Sequence, residues 1–140
     1  MRHSVSKTGF TLIELVLVIA ILGILAVVAI PQFVNISTSN ARAAARDSVV
    51  ASVNTALAND AASDVSLGNA IVYPASLDAH ANATVASQTN PLFNVILKAG
   101  VTGGWTKVSG TCYSFNNGGV IEKFKYDATA GTFVRDDTCT

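Results

Sequence analysis

Apolar and polar positions divide the chain into three zones. The first is an unbroken apolar run of 21 residues, Phe10 to Ile30, with one charge, Glu14, and no proline before Pro31. Such a run is too long for a strand, and as a helix it measures roughly 31 Å at about 1.5 Å per residue, enough to span a bilayer core. In lipid the backbone must satisfy its own hydrogen bonds, so the Val- and Ile-rich sequence reads as helix. A carboxylate in an apolar helix costs about 2.5–3.5 kcal/mol at the bilayer centre and less near an end. Glu14 lies near the end and wants a cationic partner. Gly23 interrupts the run, and Pro31 removes a backbone donor and is expected to bend the helix.

The second zone keeps a helical period but turns amphipathic. Val34, Ala41, Ala45, Val49, Val53, Ala56 and Leu57 recur at steps of three, four and seven, with Arg42, Arg46, Asp47 and Asn54 off that face or at its margin. Fraying is expected at Asn35–Asn40, which is poor in helix formers. One helix is thus predicted from Phe10 to about Ala62. In residues 63–104 the period is lost: a connecting region, with a short strand expected at Ala70–Tyr73 and a short helix at 91–98. That helix is punctuated by Asn90 as N-cap, Pro91 at its first position and Gly100 beyond its end.

The third zone, 105–140, reads as β. Trp105–Phe115 is rich in Thr, Val, Tyr and Phe, Asn116-Asn117-Gly118-Gly119 is a hairpin signal, Val120–Tyr126 alternates, and Thr132–Arg135 follows a turn. A three- or four-stranded antiparallel meander packed on the outer half of the long helix closes an α+β fold.

The residues before the apolar run, MRHSVSKTG, hold Arg2, Lys7 and no acid. Positive charge beside an apolar helix stays cytoplasmic, which places the remainder outside. An ordinary secretory signal fits poorly, because its apolar region is about 7–15 residues long. A plain single-pass anchor explains the length and the basic flank, but not Glu14. The chain of 140 residues carries nine Lys+Arg and nine Asp+Glu; loss of Arg2 and Lys7 leaves seven against nine. Neither balance argues for nucleic acid.

Gly9-Phe10-Thr11-Leu12-Ile13-Glu14, the apolar run and then Pro31 resemble the N-terminus of bacterial type IV pilins and pseudopilins. The detailed resemblance covers about residues 1–60. It implies a pilin fold and five segments: a cleaved leader (1–9), a transmembrane and filament-core helix (10–31), its amphipathic continuation (32–62), the connecting region (63–104), and the sheet with a disulfide loop (105–140). It further implies that a prepilin peptidase cuts between Gly9 and Phe10 and methylates the new Phe10 amine. In a filament, Glu14 of one subunit meets the Phe10 amine of its neighbour, and the helix loosens near Gly23 and Pro31. The implied partners are copies of the chain, minor pilins, the peptidase, an inner-membrane assembly platform, and the membrane before assembly. The precursor would sit in the inner membrane with its N-terminus cytoplasmic, and the product in an extracellular pilus used in adhesion, attachment or motility.

Outside the cytoplasm, Cys112 and Cys139 are expected to pair, closing a loop of 28 residues that corresponds to the D-region of pilins. The stretch after Pro31 is similar to pilins of the mannose-sensitive haemagglutinin kind. A pseudopilin of a type II secretion system, periplasmic in place, shares the helix and the processing, and some pseudopilins hold calcium near the C-terminus, where Asp127, Asp136 and Asp137 lie. A monomeric anchored binding module is a third reading. Lys123, Lys125 and Arg135 form either a DNA-touching patch or a solvated strand face. No phosphate-cradling glycine motif, zinc-protease signature or haem-attachment motif is present, and His80 has no evident catalytic partner. An enzyme, a cofactor or a bound metal is therefore not expected. Asn35-Ile36-Ser37 and Asn82-Ala83-Thr84 fit the glycosylation pattern by chance composition.

Overall fold

The computed structural model describes residues 9–140, with residues 28–37 described as helical backbone alone. The leader up to Thr8 lies outside the described residues, as do the side chains of Pro31 and of the first glycosylation triplet. One helix, α1, spans Leu12–Ser66 and is followed by four strands: β1 (Trp105–Ser109), β2 (Cys112–Asn117), β3 (Val120–Asp127) and β4 (Thr132–Arg135). The architecture is α+β. The chain divides into two compact units, one ending at Thr38 and the other comprising Ser39–Thr140. Helical assignment runs through Gly23 and through Asn35–Asn40, and it continues four residues past the expected end.

The sheet is an antiparallel meander in the order β1-β2-β3-β4. Trp105–Phe115, read as one strand, is two, because Gly110-Thr111 turns the chain between Ser109 and Cys112. Gly118 and Gly119 make the next turn, with φ of 66° and 100°. Both values are positive, as the tightest hairpin turns require and as residues with a Cβ resist. Alternation along β3 sends Glu122, Phe124 and Tyr126 inward, while Val120 and Ile121 are exposed.

In the unit Ser39–Thr140 the helix contributes Val53 and Leu57, both fully buried, with Val49 and Val50 partly so. They meet Trp105, Tyr113, Phe115, Phe124, Tyr126 and Phe133 from the sheet and Leu77, Leu92 and Phe93 from the connecting region. Rings stack edge-on or tilted: Phe93 to Trp105 at 5.4 Å, Phe93 to Tyr113 at 4.7 Å and Trp105 to Phe124 at 5.1 Å between centroids. These separations fall in the range where aromatic pairs add stability beyond their area.

Two local expectations fail here. Residues 91–98 form turns, not a helix: Leu92 exchanges two backbone hydrogen bonds with Val101, and Phe93 adopts φ 61°. That left-handed step turns Phe93 into the aromatic core, so tertiary burial overrides the local punctuation. Ala70–Tyr73 is not a strand either. The Val72 N–H is taken by the Asp64 carboxylate, and the connecting region reaches the sheet later, where Val85 bridges Thr106.

Both sheet edges are occupied. Residues 83–86 cover β1 through Ala86 N–H to Trp105 O and Lys107 N–H to Thr84 O, each 2.9 Å. On β4, the side chain of Asn54 stands in for a strand: its Nδ2 donates to Phe133 O and its Oδ1 accepts the Phe133 N–H, both at 2.8 Å.

Candidate functional site: an open apolar helix and a bridged head

At the start of α1, Thr11 and Glu14 form a reciprocal cap. The Thr11 N–H and hydroxyl donate to Glu14 Oε2 at 3.0 and 2.9 Å, and the Thr11 hydroxyl accepts the Glu14 N–H at 3.4 Å. This is the Thr-x-x-Glu capping box, which satisfies donors that a helix start leaves open. Sequence reasoning singled out Glu14 for its charge and missed the cap, although Thr11 three residues earlier was the signal for it. Phe10 is 87% exposed, and Leu12 through Val27 present exposed apolar side chains on all sides. Among the described residues no helix is long and apolar enough to cross a membrane. In the sequence the apolar run continues through Ile30.

Cys112 and Cys139 form a disulfide with Cα atoms 5.8 Å apart. It ties the C-terminal tail to β2, and Lys123 reinforces it by donating from Nζ to Cys139 O at 2.8 Å. The three C-terminal aspartates are already engaged. Asp127 accepts the Thr129 and Ala130 N–H groups; Asp136 accepts the N–H and hydroxyl of Thr138; Asp137 accepts the Lys123 N–H and pairs with Arg135. These donors hold all three carboxyls below the usual aspartate range. Among the described residues no group of three or more His, Cys, Asp or Glu is placed to hold a metal. Of the basic trio, Lys123 and Arg135 are committed to Cys139, Asp137 and Glu122.

Two buried ionic groups were not foreseen. Asp78 lies in the core, where Lys107 Nζ donates to its Oδ1 at 2.9 Å and the Tyr113 hydroxyl to its Oδ2 at 2.8 Å. Burial, with the Asp78 carboxylate second, pushes the Tyr113 hydroxyl far up. Glu122 is held by Arg46 from the helix and Arg135 from β4. Hydrogen bonds to Glu122 and then Asp47 raise Arg46 further. His80 Nε2 is 3.0 Å from Pro91 O, an acceptor only, so that nitrogen carries the proton.

No curated protein and no solved structure matches the chain. Residues 6–30 match the family model of the prokaryotic N-terminal methylation motif. With that motif on an exposed apolar helix, the chain carries the type IV prepilin signature, which supports a pilin-like or pseudopilin precursor of the kind that prepilin peptidase processes.

Proposed function

We propose that the chain is a structural, non-catalytic subunit of a type IV pilus, used in adhesion, surface attachment or motility. The observation that carries this reading is the apolar surface from Phe10 to Val27, exposed all round and interrupted only by a self-capped carboxylate. An apolar surface of this extent needs lipid before assembly and other helices after it. Cleavage after Gly9 leaves a cationic, methylated amine at Phe10. That amine is the partner a neighbouring Glu14 gains in a filament, whereas in a monomeric module the carboxylate does no more than cap its own helix with Thr11. Gly23 and Pro31 are the positions where the packed helix loosens. Before assembly the precursor sits in the inner membrane with its leader cytoplasmic, and it is handed to an assembly platform beside copies of itself and minor pilins.

A pseudopilin of a type II secretion system is the second reading. The Cys112–Cys139 loop favours the pilus, and Asp127, Asp136 and Asp137 each serve the chain's own turns and tail through the hydrogen bonds they accept. The test is mass spectrometry of filaments sheared from intact cells. The pilus reading expects an N-terminal peptide starting at Phe10 with one added methyl group in abundant surface filaments. Processed subunit confined to the membrane fraction favours the pseudopilin, and an N-terminus still at Met1 refutes both.

A further inference from the structure

Asn117 and Gly118 form the chain's sole Asn-Gly step, at the tip of the β2–β3 hairpin. Side chains alternate along a strand. Phe115 and Glu122 are partners in the ladder, and both are buried on the face that packs on α1, where Arg46 meets Glu122. Two residues further on, the partners Asn117 and Val120 therefore lie on that same face. Arg42 precedes Arg46 by about one helical turn, on the same side of α1. Its Nη1 stands over the hairpin turn, 3.5 Å from where a Cβ on Gly118 would lie.

Three groups at this place are uncommitted. Asn117 Oδ1 is buried with no hydrogen-bond partner among the described residues, a state that buried carbonyls seldom occupy. The Gly118 N–H makes no hydrogen bond among those residues either, whereas the neighbouring Gly119 N–H is held by Asn116 Oδ1 at 2.8 Å. Arg42 pairs with no carboxylate of the described residues, although Arg46 and Arg135 both do. The turn is also roomy: a Cβ on Gly118 would meet Arg42 alone, and one on Gly119 nothing.

We propose that Asn117 is a self-modifying site, at which the side-chain amide becomes a carboxylate that pairs with Arg42 and fastens the hairpin to α1. The Gly118 nitrogen gives its proton to solvent and attacks Asn117 Cγ, forming the N–Cγ bond of a five-membered imide. The Cγ–Nδ2 bond breaks, and Nδ2 leaves as ammonia with a proton taken from water. Water then opens the ring at either carbonyl, giving aspartate or isoaspartate at position 117. Nothing is oxidised or reduced, and water is the sole co-reactant. Glycine suits the attacking position, because it has no Cβ to crowd the nitrogen and its backbone reaches conformations closed to other residues. Asn116 is spared: its Oδ1 is held by Gly119, and the nitrogen that follows it belongs to β2. Conversion replaces an orphaned acceptor with a carboxylate beside an uncommitted guanidinium, and charge-assisted bonds of that kind are the strong ones. The change runs one way in time, so the hairpin records the age of each copy, whether or not the chain builds filaments.

The test incubates the purified full chain, folded in detergent, for weeks at physiological temperature and mildly alkaline pH in water labelled with heavy oxygen. Peptide mapping by mass spectrometry is expected to find Asn117 converted at least fivefold faster than any other asparagine, with one heavy oxygen incorporated and a rate that rises with pH. Asn117→Asp makes one product directly and is expected to melt above the wild type. In an Arg42→Gln background that difference is expected to vanish. Folded chain in which Asn117 stays intact overturns the proposal, because the hairpin then protects the site. Conversion spread evenly over the asparagines overturns it too. So does an Asn117→Asp chain that melts no higher than the wild type, or one whose gain survives Arg42→Gln.

Discussion

Lys107→Met tests whether the Asp78 centre holds the connecting region to the sheet. The side chains of Lys107 and Asp78 are 5% and 0% exposed, so methionine fills the space while leaving a buried carboxylate without its cation. Removing one member of a buried pair costs about 3–5 kcal/mol. Asp78 keeps the Tyr113 hydroxyl and the His80 N–H, which puts the expected loss near the lower figure. A domain of this size is stable by about 5–15 kcal/mol, and each kcal/mol moves its melting point by about 4–8 °C. The expected fall is on the order of 10–30 °C. Trp105, the sole tryptophan and 1% exposed, reports the melt by fluorescence of the full chain in detergent. Adding Asp78→Asn removes the stranded charge and keeps an acceptor for Tyr113, so it should recover half or more of the loss. A fall under about 3 °C for Lys107→Met, or no recovery in the double variant, refutes the reasoning.

Asn54→Ala leaves the outward N–H and C=O of Phe133 without partners and should destabilise the head by about 1–3 kcal/mol, read by urea unfolding. Cys112→Ser with Cys139→Ser should cost about 3–4 kcal/mol on the loop-entropy account and should expose the tail to carboxypeptidase. The depressed carboxyls of Asp127, Asp136 and Asp137 contribute stability that is present above the ordinary aspartate range and lost as pH falls through their lower folded values. Asp136→Asn with Asp137→Asn should therefore flatten the acid limb of a melting-point profile. Tyr113, raised in the fold, contributes stability that is present below the ordinary tyrosine range and lost as pH rises above about 10, and Tyr113→Phe should remove that alkaline slope.

The helix, the Gly118-Gly119 hairpin and the cysteine pairing were legible because each rests on a local pattern: period, turn chemistry, or count and compartment. The residues that fasten the head were not. Asn54 and Arg46 lie off the apolar helical face or at its margin, where the period says nothing of a partner, yet each finds one on a strand 79 or 76 residues later in sequence. Asp78 stood in a polar-looking loop, where nothing nearby in sequence announced that Lys107 and Tyr113 would enclose it. Phe93 was assigned to a helix because Asn90, Pro91 and Gly100 punctuate one, while the force that set its backbone was the vacancy among Trp105, Tyr113 and Phe133.

Asn54 and residues 83–86 also bear on what a second chain could find at the margins of the sheet. A sheet with bare margins recruits further strands and joins chains indiscriminately. Here one margin is stopped by a single amide and the other by the chain's own loop, so the folded head offers no template for strand exchange. On the filament reading proposed above, crowded copies would not seed one another through their heads, and growth would fall to the apolar helix alone.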